Sequence, residues 1–177
     1  MYAREVIVDE FRRAVDNLFQ SQCRDDGYDS SSLSPDQIRG QEVLSAEKTF
    51  SAAVTLEGDD IKSRLSLVSR LSTLRKLNPG FVADPSDWVG EISNLLMGSL
   101  KNKLSEYEVE TQLGIPESQD GPDLLLTRAG GMAQFAHWVN FTHGDLIVVL
   151  YFKMDWNTKW IFNPNKPAAM EGDVVLF

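Results

Sequence analysis

The sequence predicts an α+β domain in which helices pack on a mostly antiparallel sheet. Two segments, 6–19 and 85–104, space their apolar residues as amphipathic helices do. Two others, 50–68 and 134–153, each contain a pair of runs with apolar residues at mostly alternate positions, which is typical of hairpins. Helices that cover an antiparallel sheet define this fold class.

One domain of ordinary size is expected, because 177 residues with 42% hydrophobic composition can bury a core without crosslinks. The 17 basic and 26 acidic residues give a formal net charge of −9, which argues against a nucleic-acid partner. Charged residues near the N-terminus argue against a signal peptide, and the apolar run 146–152 is too short to cross a bilayer. Cys23 is the only cysteine, so no internal disulfide forms and a cytoplasmic location fits best.

The first helix is predicted to end near Cys23. Its apolar residues recur with helical periodicity: Val6, Phe11, Ala14, Val15, Leu18 and Phe19. The segment 24–41 is rich in Ser, Asp, Gly and Pro and has few apolar side chains, which predicts a connector within the domain that is either a long loop or partly disordered.

A β-hairpin is predicted from Phe50 to Val68, with Glu57-Gly58-Asp59-Asp60 at its turn. Residues 69–77 then have helical spacing, and Asn78-Pro79-Gly80 is expected to end that helix. In the segment 135–141 both alternating faces carry large apolar side chains, which indicates a sheet covered on both faces.

Strands are also predicted in the C-terminal half at 107–113, 123–127, 134–141 and 146–153. His143-Gly144-Asp145 is expected to turn the chain between the last two. Residues 1–153 are predicted to form the domain, and 154–177 an irregular extension that docks on it through Trp156, Trp160 and Phe162.

The helix from residue 85 has a favourable start, because Asp84 suits the N-cap and Pro85 the first helical position. Its apolar residues form one stripe that is expected to face the core: Trp88, Val89, Ile92, Leu95, Leu96, Leu100 and Leu104. Its polar residues form a second stripe roughly opposite: Asp87, Glu91, Asn94, Gly98 and Lys101.

The polar stripe has an ordinary explanation, because any surface helix places polar residues three and four positions apart and acids favour its N-terminal end. Asn94 and Gly98 do not fit that explanation, since both are poor helix formers and Gly costs about 1 kcal/mol relative to Ala. A glycine one turn beyond an amide leaves room for another chain. The stripe is therefore interpreted as a surface that a partner approaches.

The pattern Asp87-x-x-x-Glu91-x-x-Asn94, with Gly98 one turn later and Pro116 further along the chain, resembles the motif of the CheC/CheX/FliY phosphatases of bacterial chemotaxis. The order of predicted elements around the motif agrees with that family over most of the chain. One copy of the motif is present, as in CheX. The resemblance implies a CheX-like phosphatase that acts on the phospho-aspartate of a CheY-type response regulator.

The resemblance also implies how the site works. The receiver domain of the regulator supplies its own Mg²⁺ and a lysine at the phosphate, so no cofactor of the chain's own is expected. Asn94 would hold the attacking water in line with the phosphorus, and Glu91 would pair with the receiver's lysine. Asp87, Gly98 and Lys101 are assigned to partner binding, although helix capping explains Asp87 equally well and solvation also explains Lys101.

Two other interpretations stay open. The chain is either a non-catalytic adaptor or sensor that binds a receiver, as the same fold does in the flagellar motor switch, or a structural domain in which the motif is accidental. A homodimer is expected if the strand "LIVVLYF" lies at a sheet edge. His137 and His143 lack nearby acidic residues at ligand spacing, so structural roles are assigned to both and no metal site is expected.

Overall fold

The computed structural model describes residues 2–22, 27–34, 37, 49–77, 85–120, 132–142, 144–155 and 157–163. These residues form the helices α1 (Ala3–Gln22), α2 (Leu71–Leu77) and α3 (Pro85–Ser105). They also form the strands β1 (Tyr28–Leu33), β2 (Thr49–Glu57), β3 (Ile61–Arg70), β4 (Gln112–Leu113), β5 (Glu117–Asp120), β6 (Ala133–Phe141) and β7 (Gly144–Met154). The predicted α+β class is confirmed. Over these ranges no helix combines the length and the hydrophobicity that crossing a membrane requires.

All seven strands belong to one antiparallel sheet in the order β1-β6-β7-β3-β2, and β4 and β5 pair with opposite ends of the outer edge of β2. The predicted hairpins are β2 with β3 and β6 with β7. β7 lies between β6 and β3, so the condition for a dimer through this strand, that it lies at a sheet edge, is not met. Over the described residues the edges are β1 on one side and β4 with β5 on the other.

The main hydrophobic core lies between the sheet and the two long helices. Phe11 and Phe19 of α1 and Leu96 and Leu100 of α3 are fully buried there. Each such side chain contributes about 2 kcal/mol through burial. A second cluster on the opposite face contains Val68, Ala136, Ile147, Val149 and Tyr151. The prediction of a sheet covered on both faces is therefore confirmed, and it explains why β7 is apolar at nearly every position.

β1 corrects the prediction that 24–41 is a loop. All six of its residues pair with β6, although four of them are Ser or Asp. The carboxylate of Asp16 on α1 accepts hydrogen bonds from the Tyr28 hydroxyl at 2.6 Å and the Ser30 hydroxyl at 2.8 Å. The strand is thus stabilised by partners distant in sequence, which composition does not reveal. Apart from 27–34 and residue 37, this segment and Cys23 lie outside the described residues.

The predicted strand 107–113 is also wrong over most of its length, because the chain first has to leave α3. Glu108 adopts a left-handed φ of 62°, and the Val109 N–H donates back to the Leu104 carbonyl. This geometry is typical of a helix C-terminus. Only Gln112–Leu113 pair with β2, and β5 follows as a strand that the sequence did not predict.

Other boundaries differ by a few residues. α2 begins at Leu71, because the two residues before it continue β3. β7 already begins at Gly144, which pairs with Phe141, so Gly144 and Asp145 belong to the strand and not to the turn that the sequence predicted. The segments 78–80 and 123–127 lie outside the described residues, as does His143.

The segment 157–163 returns to the ends of α1 and α3. The Ala3 N–H donates to the Thr158 carbonyl at 3.1 Å. Trp160 is buried with its ring centroid 6.5 Å from that of Tyr107, and the Phe162 ring lies 5.4 Å from Tyr107. Trp160 and Phe162 therefore pack on the domain, whereas Trp156 lies outside the described residues. The domain boundary at residue 153 stays a prediction, and β7 itself continues to Met154.

His137 is buried between α1 and the sheet. Its ring stacks on Phe135 with centroids 6.3 Å apart, and its Nε2 lies 3.6 Å from Asp16 Oδ1, which is longer than a hydrogen bond. Burial lowers the pKa of His137 below its usual value and outweighs the opposing effect of the Asp16 carboxylate. The imidazole is therefore neutral in the folded protein near pH 7.

We predict that this histidine makes the fold less stable in acid. Its pKa is about 6.5 in the unfolded chain and lower in the folded protein, so the unfolded chain binds more protons as the pH falls below about 6.5. The free energy of unfolding then decreases. His137→Leu should lose less stability than the wild type when urea unfolding is compared at pH values of about 7.5 and 5. Equal losses in the two proteins would contradict the prediction.

Candidate functional site

The motif lies on one unbroken helix. α3 starts at Pro85, as predicted, and continues through Asp87, Glu91 and Asn94 to Ser105. Asp84, the predicted N-cap, lies outside the described residues. The prediction that one helix carries the whole motif is confirmed.

α3 keeps this orientation because one of its faces is apolar and packs on β2, β3 and α1. Its buried residues include Trp88, Val89, Ile92, Leu96, Met97, Leu100 and Leu104. Leu95 was predicted to join them, but 50% of it is exposed. At about 100° per residue it lies only about 40° from Glu91, on the solvent side of the helix.

The polar stripe faces solvent. Asp87 and Glu91 are exposed, and Asn94, Gly98 and Lys101 are partly exposed. Within the described part of the chain, none of the four polar side chains in this stripe forms a hydrogen bond or an ion pair. They are therefore free to bind a partner.

Helix geometry sets the spacing of the stripe. Glu91 and Asn94 are three residues apart, which places them about 4.5 Å apart along the axis and about 60° apart around it. Asp87 precedes Glu91 by one turn, and Gly98 follows Asn94 by one turn. The structure thus brings all five predicted residues onto one face, and the acid and the amide project into the same region of solvent.

The loop between β4 and β5 borders this face. The Ser118 hydroxyl donates to the Ser86 carbonyl at 3.0 Å, which holds the loop on the first turn of α3. A Cβ atom at position 90 would lie 3.1 Å from Ser118 Oγ and 3.7 Å from Pro116 Cβ. Gly90 therefore permits the close approach of the loop next to Glu91. Sequence reasoning singled out Pro116 but missed Gly90, because only the tertiary contact gives that glycine a role.

The chemistry of the pair is simple. A carboxylate accepts charge-assisted hydrogen bonds from a lysine or an arginine, and an amide both donates to and accepts from a water molecule. Asp87 and Glu91 make one end of the stripe acidic, which suits a basic side chain on a partner.

Across the described ranges, no group of three or more His, Cys, Asp and Glu side chains is arranged to hold a metal ion.

A separate groove of about 620 Å³ lies between α1, the C-terminal half of α3 and the segment 157–163. Its lining includes Arg13, Lys103, Tyr107 and Trp160, and it contains none of the five predicted site residues. A hydrogen bond to Glu106 at 2.8 Å raises the pKa of Lys103. Sequence reasoning missed this groove because three distant segments form it.

No protein-family model and no curated protein matches this sequence. Solved structures do match its fold. The chain is similar to the chemotaxis protein CheX from Vibrio vulnificus, with 13% identity, a TM-score of 0.66, and coverage of 83% of this chain and 99% of that one. A chain of the CheX–CheY–BeF₃–Mg²⁺ complex from Borrelia burgdorferi matches with 12% identity, a TM-score of 0.65, and coverage of 82% and 97%.

This chain has a CheC/CheX-like fold. The sequence resemblance is thereby confirmed at the level of the fold, and identities this low establish the fold alone. The FliM middle domain from H. pylori is also similar, with 11% identity, a TM-score of 0.52, and coverage of 84% of this chain and 88% of that one.

The two glycines of α3 in this CheC/CheX-like fold should respond differently to alanine. A Cβ atom at Gly98 would meet no atom within 4 Å, so Gly98→Ala should raise the free energy of unfolding by about 1 kcal/mol through helix propensity. Gly90→Ala should gain less than Gly98→Ala, because its methyl group would lie 3.1 Å from Ser118 Oγ and would push against a hydroxyl that is hydrogen-bonded to Ser86. Urea unfolding of both variants tests this, and a loss of stability in Gly98→Ala would contradict it.

Proposed function

We propose that this protein is a phosphatase that hydrolyses the phospho-aspartate of a CheY-type response regulator. The observation that carries the proposal is the pair Glu91 and Asn94, which projects from the solvent face of one intact helix. The fold supports it, because a similar CheX chain was solved in a complex with CheY. Such a receiver also makes the cytoplasm the expected location.

In this proposal Asn94 orients the water. The water oxygen attacks the phosphorus of the acyl phosphate, the bond from phosphorus to the aspartate oxygen breaks, and the carboxylate leaves with the electron pair. An amide is a poor proton acceptor, so its contribution comes from holding the water in line with the bond that breaks. The water's protons pass to the phosphate product and to solvent.

Glu91 is the proposed anchor. Its carboxylate would pair with the lysine that the receiver holds at its phosphorylation site. This charge-assisted hydrogen bond would fix the position at which the receiver docks along α3. Asp87, one turn nearer the N-terminus, would extend the acidic contact, and Lys101 would lie at the far end. Gly98 leaves room for the receiver, because there is open space where its side chain would be. Mg²⁺ would be held by the receiver and not by this chain.

A non-catalytic adaptor is the second candidate, since the FliM middle domain has a similar fold. Asn94 favours the enzyme, because a protein that only binds has no need of an amide beside its anchoring acid. A homodimer that paired sheet edges would use β1 or β4 and β5, since these are the edges of the described sheet.

Asn94→Ala should abolish the stimulated dephosphorylation and leave the fold and receiver binding intact. A loss of at least about 100-fold in rate is expected, because the water loses its orientation. Phosphate release from a phosphorylated receiver measures the rate. Asn102→Ala, on the same helix about 12 Å further along, is the matched control and should keep the wild-type rate. An unchanged rate in Asn94→Ala would remove that residue from the mechanism.

Glu91→Ala should mainly weaken docking, with a rise in the receiver's Kd of about 10- to 100-fold, because the receiver's lysine loses its charged partner. Glu91→Lys should weaken docking further through repulsion. Calorimetry with a receiver in its activated form measures both. Glu110→Lys makes the same charge change at an exposed position between α3 and β4 and should bind normally. Equal affinities for the Glu91 and Glu110 variants would exclude the anchor role.

A further inference from the structure

Two exposed apolar residues lie on α3 and on the loop that packs beside it, the elements that surround the Glu91–Asn94 pair. Across the described ranges, the large hydrophobic residues that are exposed are Tyr2, Leu95, Ile115, Ile161 and Phe162. Three of these, Tyr2, Ile161 and Phe162, lie where the segment 157–163 meets the start of α1. Ile161 and Phe162 are part of that segment, and Tyr2 forms a β-bridge with Lys159. Leu95 and Ile115 are the other two, and both are distant from that segment in the sequence.

Leu95 lies beside the anchor. It follows Glu91 by four residues, so it lies about 6 Å further along the axis and about 40° around it, on the side away from Asn94. Half of its surface is exposed, although it belongs to a helix whose other large apolar residues are buried. A lysine or glutamate at this position would suit a bare helix surface equally well.

Ile115 belongs to the loop that packs on α3 at Gly90. It is 88% exposed and precedes Pro116, which packs at Gly90. The loop is held at both ends, because the Gly114 N–H donates to the Thr55 carbonyl at 2.8 Å and the Ser118 hydroxyl donates to α3. In a view along the helix axis, Gly90 lies about 60° from Asp87, and it lies on the same side of Glu91 as Asn94 does. An isoleucine that is almost fully exposed on an anchored loop gains nothing from the fold of this chain.

A single exposed leucine would carry little weight, because scattered apolar residues are normal on protein surfaces. The position of these two is what matters. Leu95 lies on one side of the unpaired Glu91, and the loop that carries Ile115 packs on the helix on the other side. Interfaces commonly surround a charged or aromatic contact with groups that exclude water. Excluding water strengthens the central ion pair, because the local dielectric falls.

We propose that Leu95 and Ile115 are apolar docking contacts that select the cognate receiver. That receiver would carry an apolar side chain about 6 Å from the lysine that pairs with Glu91, matching the rise of one helical turn. This inference rests on the proposed function, since it takes the receiver as the partner. It adds a chemical criterion by which one receiver is chosen among many that share the same lysine.

The test compares the Kd of a receiver whose aspartate carries beryllofluoride, a stand-in for the phosphoryl group. Leu95→Ala should raise Kd by about tenfold and leave kcat unchanged. Leu95→Gln, which buries an amide without a partner, should raise it further, and Leu95→Met should bind like the wild type. Ile115→Ala should raise Kd as well. Ile161→Ala removes an equally apolar exposed side chain at the docked segment and should leave Kd unchanged.

The dependence of Kd on ionic strength distinguishes a docking contact from a purely structural defect, because a structural defect would not change that dependence. Without Leu95 water reaches the Glu91–lysine pair, so the Kd of Leu95→Ala should rise more steeply with ionic strength than the wild-type Kd. A Kd for Leu95→Ala and Leu95→Gln within twofold of the wild type, with receiver binding intact, would overturn this inference alone. Failure of the wild-type protein to bind any receiver would overturn the proposed function and this inference with it.

Discussion

The burial of one face of α3 is the constraint on which the rest of the structure depends. Its apolar residues enter the core above β2 and β3, and this packing leaves the opposite face in water. A rigid helix then sets the separation and direction of Glu91 and Asn94 without any further contact. An acid and an amide that the fold does not use internally are thereby held in solvent, which is the arrangement that the proposed catalysis by positioning would require.

Other elements fix the two ends of this helix. The loop carrying Pro116 packs on its first turns at Gly90, and the hydrogen bond from Ser118 holds that loop in place. At the far end the left-handed Glu108 ends the helix, and Trp160 packs against Tyr107. The site therefore lies on a helix that is secured at both ends, which limits the motion of a stripe that is about 21 Å long.

The proposed site would divide the chemistry between two proteins. In the proposed complex the receiver contributes the metal, the lysine and the reacting bond, and this chain contributes orientation and docking. Such a division explains why a candidate hydrolase can expose its catalytic pair on a convex helix and not in a pocket. It would also make partner choice a matter of surface complementarity, in which the exposed apolar side chains of Leu95 and Ile115 have the role proposed above.

The sequence by itself determined the elements whose signals are local. Apolar periodicity and Pro85 predicted α3, alternation predicted the two hairpins, and the motif resemblance predicted the fold. Only the tertiary structure decided where β1 pairs, where the edges of the sheet lie, and that Leu95 faces solvent. β1 is polar and depends on Asp16 and β6, which are distant in sequence. Helical periodicity predicts the direction of a side chain around the helix axis only to within several tens of degrees. For a residue at the border between the apolar and polar faces, such as Leu95, burial therefore depends on which neighbouring strands and helices cover it.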